Sequence, residues 1–150
     1  MPQVLMRHAV ESDIPTLVAM LLDDELGQTR ESADDLTPYR EAFARVQQDP
    51  NTRLMVATID GAIVGTLTLT VLHGLSRKGA SRALVEAVRV RSELRSRGIG
   101  AQMMQWAMDE ARRLGCSRMQ LTSDVRRVDA HRFYERLGFA ASHTGFSIGL

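Results

Sequence analysis

The sequence predicts an α/β fold: a layered, mixed sheet with helices packed on it. Three observations predict it. Two β-type runs, "TRLMVATID" and "AIVGTLTLTVL", meet at Asp60-Gly61, a pair suited to a tight antiparallel hairpin. After them the order is strand, helix, strand, helix, strand. The helical segments carry apolar residues three and four apart, the period of one buried face.

The elements follow in order. "VLMR" reads as a short first strand. "SDIPTLVAMLLDDEL" reads as a helix, capped by Ser12 or Asp13, with Pro15 tolerated in its first turn. Ile14, Leu17, Val18, Leu21 and Leu22 form its apolar face. "GQTRESADDLTP" is a polar loop, and "PYREAFARVQQ" a second helix. The two hairpin strands come next, then the loop "HGLSRKGA" and the strand "SRALVEAVRV". A helix begins at Gly98, turns Met103, Ala107, Ala111 and Leu114 inward, and stops at Gly115. "SRMQLTS" is a strand with Met119 and Leu121 on one face. "DAHRFYERLG" is a last helix ending at Gly138, and the tail "FAASHTGFSIGL" is expected to hold one or two strands.

Composition limits the function classes. The chain has 150 residues, which suits one domain, 1–150, with a real core. Nineteen basic residues balance 18 acidic ones to a net charge of +1, so no basic footprint for nucleic acid is expected. No apolar run approaches the ~20 residues of a membrane span. The start "MPQVLMRHAVESD" lacks the apolar core of a signal peptide. The single cysteine, Cys116, cannot form an intrachain disulfide, and a cytoplasmic location is expected. His8, His73, His131 and His143 show no metal-ligand spacing, so no metal is expected.

The stretch "RSRGIG" places two glycines at the start of the longest apolar-periodic segment. The first turn of a helix has backbone N–H groups without internal partners, and the helix dipole makes that end partly positive. Glycines let a ligand approach this backbone, so a phosphate or pyrophosphate is the natural guest. Two common phosphate loops do not match. A dinucleotide fingerprint needs a third glycine where Met103 stands, and the Gly-Lys-Ser/Thr end of a Walker loop does not occur.

The strand before this loop holds a second candidate. Strand alternation puts Leu84, Glu86, Val88 and Val90 on one face, with Glu86 its only charge. A carboxylate among apolar neighbours loses hydration and can serve as a general base.

These motifs resemble the GNAT N-acetyltransferases. Val90, Arg95, Gly98 and Gly100 match one family pattern; Ala130, Phe133, Tyr134, Gly138 and Phe139 match a second. The resemblance implies a mixed, largely antiparallel central sheet with a splayed central strand pair and flanking helices. It also implies acetyl-CoA as co-substrate. Its pyrophosphate would lie on Ser96, Arg97, Gly98, Ile99, Gly100 and Ala101, entered at Arg95. The pantetheine arm would pair along Val88 and Val90, with a backbone N–H near Val88 as oxyanion donor. Glu86 matches the base position of some members, Tyr134 the proton donor to the thiolate, and Phe133 stands beside the cofactor. Where many members carry an asparagine, this chain has Arg127, so that contact does not transfer.

"DPNTRLMVATIDGAIVG", "RRVDAHRFY" and "SHTGF" resemble aminoalkylphosphonate N-acetyltransferases more narrowly. That implies a small amine acceptor with an anionic group, for which Arg77, Lys78, Arg82 and Arg127 are candidates. The alternatives are a protein N-terminal or lysine acetyltransferase, and a non-catalytic acyl-CoA sensor. The loops 27–38 and 73–81 are expected to wall the acceptor. The acceptor's identity and the choice between monomer and homodimer stay open.

Overall fold

In a computed structural model, which describes residues 2–150, the chain divides into two units, 1–120 and 121–150. The first unit is built on a sheet with strand order β1-β2-β3-β4-β5. The strands are β1 (Leu5–His8), β2 (Thr52–Ile59), β3 (Ala62–Leu72), β4 (Arg82–Val90) and β5 (Arg118–Leu121). The first four pair antiparallel in chain order. Asp60 and Gly61 turn the β2–β3 hairpin with φ of 50° and 82°, the doubly left-handed turn that matches strand twist.

Helices α1 (Ile14–Leu22) and α2 (Thr37–Gln48) pack together with the sheet. Ile14, Leu17 and Val18 of α1 join Phe43 of α2 and Val56 of β2 in one buried cluster. This is the apolar stripe that the sequence spacing predicts for α1. Asp13 sits at the N-cap position of α1, but its side chain does not cap the helix. It turns back instead, taking two hydrogen bonds from the Arg7 guanidinium and one from the Val10 N–H.

A single turn, α3 (Ser76–Gly79), lies between β3 and β4, with Arg77 and Lys78 both left-handed. The crossover from β4 to β5 is α4 (Ile99–Arg113), which buries Met103, Met104, Ala107 and Ala111; Leu114 is half-buried just beyond it. The helix rides close to the sheet because Gly65 has no side chain. A Cβ there would stand 2.6 Å from the Met103 sulfur and 2.9 Å from the Arg89 carbonyl oxygen. Ser117 N–H donates to the Ser81 carbonyl at 2.9 Å, so β5 starts beside the start of β4. β5 then ends after four residues while β4 runs on for nine. No described helix is long and apolar enough to cross a membrane.

The second unit contains α5 (Val128–Arg136), ended by Leu137 and left-handed Gly138. Phe133, Tyr134 and Phe139 stack edge to face, with ring centroids 5.1 and 5.9 Å apart. The expected tail strands are absent: residues 139–150 carry no regular secondary structure. Strand pairing needs a neighbouring strand, and none engages the tail in this chain.

Candidate active site

β4 departs from the simple alternation that the sequence suggests. Thr68 faces Glu86, but Thr66 faces Arg89, so Ala87 and Val88 together oppose Leu67. This is a bulge, and Ala87 holds it at φ 51°. The bulge reverses the faces beyond it. Glu86 therefore shares its side of the sheet with Arg89, while Val90 moves to the side of Val85, opposite Gly65. The apolar face expected around Glu86 is broken, and Glu86 is exposed. The extra bulged residue is also left out of the regular ladder.

Arg89 is half-buried beside α1's end. Its guanidinium donates to the Val88 carbonyl at 2.9 Å and stands 3.8 Å from the Asp24 carboxylate. Asp24 also accepts the Gly27 N–H at 3.0 Å. Gly27 is required there, since a Cβ would fall 1.8 Å from the Leu21 carbonyl oxygen. Asp24 thus contributes one half-buried ion pair at the end of α1.

The segment from β4 to α4 is shaped by the backbone. A 3-10 turn spans Ser92–Leu94; then Ser96 and Gly98 take φ of 62° and 80°. Gly98 is the N-cap of α4, and no side chain caps the helix. The first bond of the helix runs from Gln102 N–H to the Gly98 carbonyl at 3.2 Å. The N–H groups of Ile99, Gly100 and Ala101 come before it and have no helical acceptor. Arg95 donates to the carbonyls of Val90 and Asp23, at 3.3 and 3.2 Å, which ties the loop to the end of α1. Arg95, Ser96 and Arg97 are exposed, Gly98, Gly100 and Ala101 half-buried, and Ile99 buried in the core. A groove of about 470 Å³ runs between α1 and this segment, lined by Thr16, Met20, Asp23, Arg91 and Glu93. A second cavity of about 400 Å³, lined by His8, Phe43, Arg53 and Glu110 among others, contains no predicted site residue.

The basic candidates separate. Arg77 and Lys78 occupy the exposed turn α3, and Arg82 begins β4. Sequence reading missed their neighbour Arg118, whose guanidinium is pulled down first by partial burial and then by repulsion from Arg77 and Arg82. No carboxylate pairs with any of these four among the described residues. Arg127 lies in the second unit, at the N-cap of α5. In that unit Tyr134 and Phe133 are half-buried, and His131 bonds the Asp124 carbonyl at 2.9 Å. Burial pushes the Cys116 thiol up, away from nucleophilic character. No group of three metal-ligating side chains occurs among the described residues.

The site thus combines a β5 that ends early beside β4, a bulge at Ala87–Val88 and an uncapped helix start at Gly98. The acetyltransferase (GNAT) family model matches residues 18–139, and the chain belongs to that family. It is an acyltransferase enzyme, and the family implies acetyl-CoA as co-substrate. Among individual relatives, the aminoalkylphosphonate N-acetyltransferase of Salmonella typhimurium is 34% identical across all of this chain and 94% of its own. A structure described as a transcriptional regulator from Bacillus halodurans C-125 superposes with a TM-score of 0.94 at 42% identity, covering 99% of this chain and 100% of that one. A putative acetyltransferase from Agrobacterium tumefaciens superposes with a TM-score of 0.85 at 27% identity, covering 97% and 99%.

Proposed function

We propose that this chain moves the acetyl group of acetyl-CoA directly to the primary amine of a small molecule bearing an anionic group. One observation supports it above others. A single segment, 87–101, offers backbone donors at both ends: the bulge at Ala87–Val88, and the uncapped first turn of α4 behind Gly98. That suits a ligand with a carbonyl at one end and a pyrophosphate at the other. Val88 and Val90, lying between them where β5 has ended, offer backbone to the arm that joins the two groups.

Each residue then has a task. The α4 turn, with Arg95, Ser96, Arg97, Gly98, Ile99, Gly100 and Ala101, binds the pyrophosphate through N–H groups and the helix dipole. Glu86 takes a proton from the incoming ammonium, directly or through water. The amine lone pair forms the new N–C bond at the acetyl carbon, and the N–H near Val88 faces the developing oxyanion. The C–S bond breaks, and the departing thiolate takes a proton from Tyr134. That assignment, and Phe133 as a cofactor neighbour, rest on the family motif. Exposure of Glu86 fits relay through water.

The anionic acceptor is supported by the Salmonella relative's substrate class and by Arg77, Arg82 and Arg118, which pair with no carboxylate among the described residues. Arg82 stands on the Glu86 side of β4. The loops 27–38 and 73–81 are read as the acceptor walls. A protein N-terminus or lysine is the alternative acceptor.

One assay separates these readings: release of free coenzyme A thiol from acetyl-CoA with a panel of acceptors. The panel holds a short aminoalkylphosphonate, the same alkylamine without phosphonate, and peptides with free N-termini and lysines. The aminoalkylphosphonate is expected to give the highest kcat/KM. Faster turnover of peptides, or acetyl-CoA binding without turnover of any acceptor, overturns the small-molecule reading.

A further inference from the structure

Asp24 and Arg89 join two parts of the site that have so far stood apart: the start of the loop 27–38 and the bulge of β4. One planar guanidinium makes both connections. Its Nη1 donates to the Val88 carbonyl at 2.9 Å, and its Nη2 stands 3.8 Å from Oδ2 of Asp24. The same Oδ2 accepts the Gly27 N–H at 3.0 Å. Gly27 in turn lies so close to the Leu21 carbonyl that a Cβ would fall 1.8 Å from its oxygen. The Arg89 and Asp24 side chains are only 19% and 14% exposed. Charged side chains are seldom covered this far without a partner, and a charge-assisted bond away from water holds its acceptor more firmly than one in water. The acceptor here is the carbonyl of Val88, the residue whose N–H is read as facing the oxyanion. Peptide units are planar, so that N–H and that C=O are related only through the φ and ψ of Val88. Holding the carbonyl narrows the directions in which the N–H can point.

We propose that Asp24 and Arg89 are positioning residues for acetyl transfer: a strut from the acceptor loop that aims the Val88 N–H at the developing oxyanion. This rests on the reading of that N–H as the oxyanion donor. The thioester oxygen gains its charge in the transition state, so a well-aimed donor counts for more there than in the ground state. Loss of the strut therefore falls on kcat and leaves the KM of both substrates in place. Lysine does not replace Arg89, because one ammonium nitrogen cannot reproduce the fork that spans a carbonyl and a carboxylate.

The test is steady-state thiol release by the full chain, comparing wild type with Arg89→Met, Arg89→Lys, Asp24→Asn and the double variant Asp24→Asn with Arg89→Met. A short aminoalkylphosphonate and the same alkylamine without phosphonate serve as acceptors, and thermal unfolding is recorded for every variant. Each single variant should lower kcat by about 10²-fold, the scale of misplacing a reacting group by about 1 Å, with KM for acetyl-CoA and for both acceptors near wild type. The double variant should be no slower than the slower single one, as for two residues that act as one unit. If Arg89→Met does not fold, Asp24→Asn decides by the same split between kcat and KM, since asparagine keeps the shape and an oxygen for the Gly27 N–H. A lower melting temperature with kcat near wild type overturns the strut, as do losses that multiply in the double variant. A KM raised for the phosphonate acceptor alone also overturns it, making Arg89 a contact of the acceptor's anionic group. No turnover by the wild type overturns the proposed function and the strut with it; turnover with unaffected variants overturns the strut alone.

Discussion

Glu86 and Arg89 stand on the same face of β4 although they are three positions apart, because Ala87 and Val88 share one position opposite Leu67. Ala87 holds this bulge in the left-handed region, at φ 51°. For a residue with a Cβ that conformation costs about 1–2 kcal/mol, and a β-branched residue tolerates it less. Ala87→Gly should therefore keep full activity and unfold at an equal or higher temperature. Ala87→Val should lower the melting temperature and reduce kcat, because straightening β4 returns Glu86 and Arg89 to opposite faces. Thermal unfolding with acetyl-transfer rates on both variants checks this; a Val variant as stable and active as wild type would remove the bulge from the site.

Gly100 offers a case in which stability and binding should move apart. It lies in the first turn of α4, where a carboxylate is favoured by the helix dipole, by about 0.3–1 kcal/mol. Gly100→Asp should leave the melting temperature unchanged or raised. The same carboxylate would repel a pyrophosphate, so calorimetry should show coenzyme A affinity lost. Wild-type affinity in the folded variant would exclude this turn as the cradle.

Much of the frame was legible in the residues. The hairpin could be read because Asp60-Gly61 suits two left-handed positions, and the α4 start because Gly98 accepts φ 80° without strain. The apolar stripe of α1 was legible from spacing alone. The bulge was not, since alanine carries no mark of a left-handed residue; nor was the left-handed turn at Ser96. Missing the bulge misplaced Glu86 on an apolar face. Arg118 escaped notice because its neighbours Arg77 and Arg82 lie far away in sequence. The tail does read as a strand, but pairing depends on a partner strand that local pattern cannot supply.

Asp13 should make folding acid-sensitive. Asp13 is 8% exposed, and its carboxylate is held below the ordinary range, chiefly by the Arg7 guanidinium and further by the Val10 N–H. The unfolded chain, whose aspartates titrate near ~3.9, binds the proton more readily. The stabilisation is therefore complete above that value and is lost as pH falls through it towards the lower folded value. Asp13→Asn should cost about 1–2 kcal/mol at neutral pH, Arg7 being half-exposed, and less in acid. Urea unfolding from neutral to acidic pH measures it; equal acid slopes in wild type and variant would contradict the assignment.

Tyr134 packs between Phe133 and Phe139, and its role separates cleanly from that packing. Tyr134→Phe keeps the ring and removes the hydroxyl. A proton donor predicts a fall in kcat with coenzyme A affinity and melting temperature nearly unchanged. A purely structural phenol predicts the reverse: a lower melting temperature and a kcat near wild type.

The most direct test of the whole account is amine-dependent release of coenzyme A thiol by wild type and Glu86→Gln, measured under identical conditions. Glutamine keeps the shape of the exposed side chain and cannot accept the amine's proton. The account predicts thiol release only when an amine is present, and a fall in kcat/KM of about 10²–10⁴-fold in the variant, with acetyl-CoA affinity retained. Thiol release without amine, or a Glu86→Gln variant as fast as wild type, would contradict it.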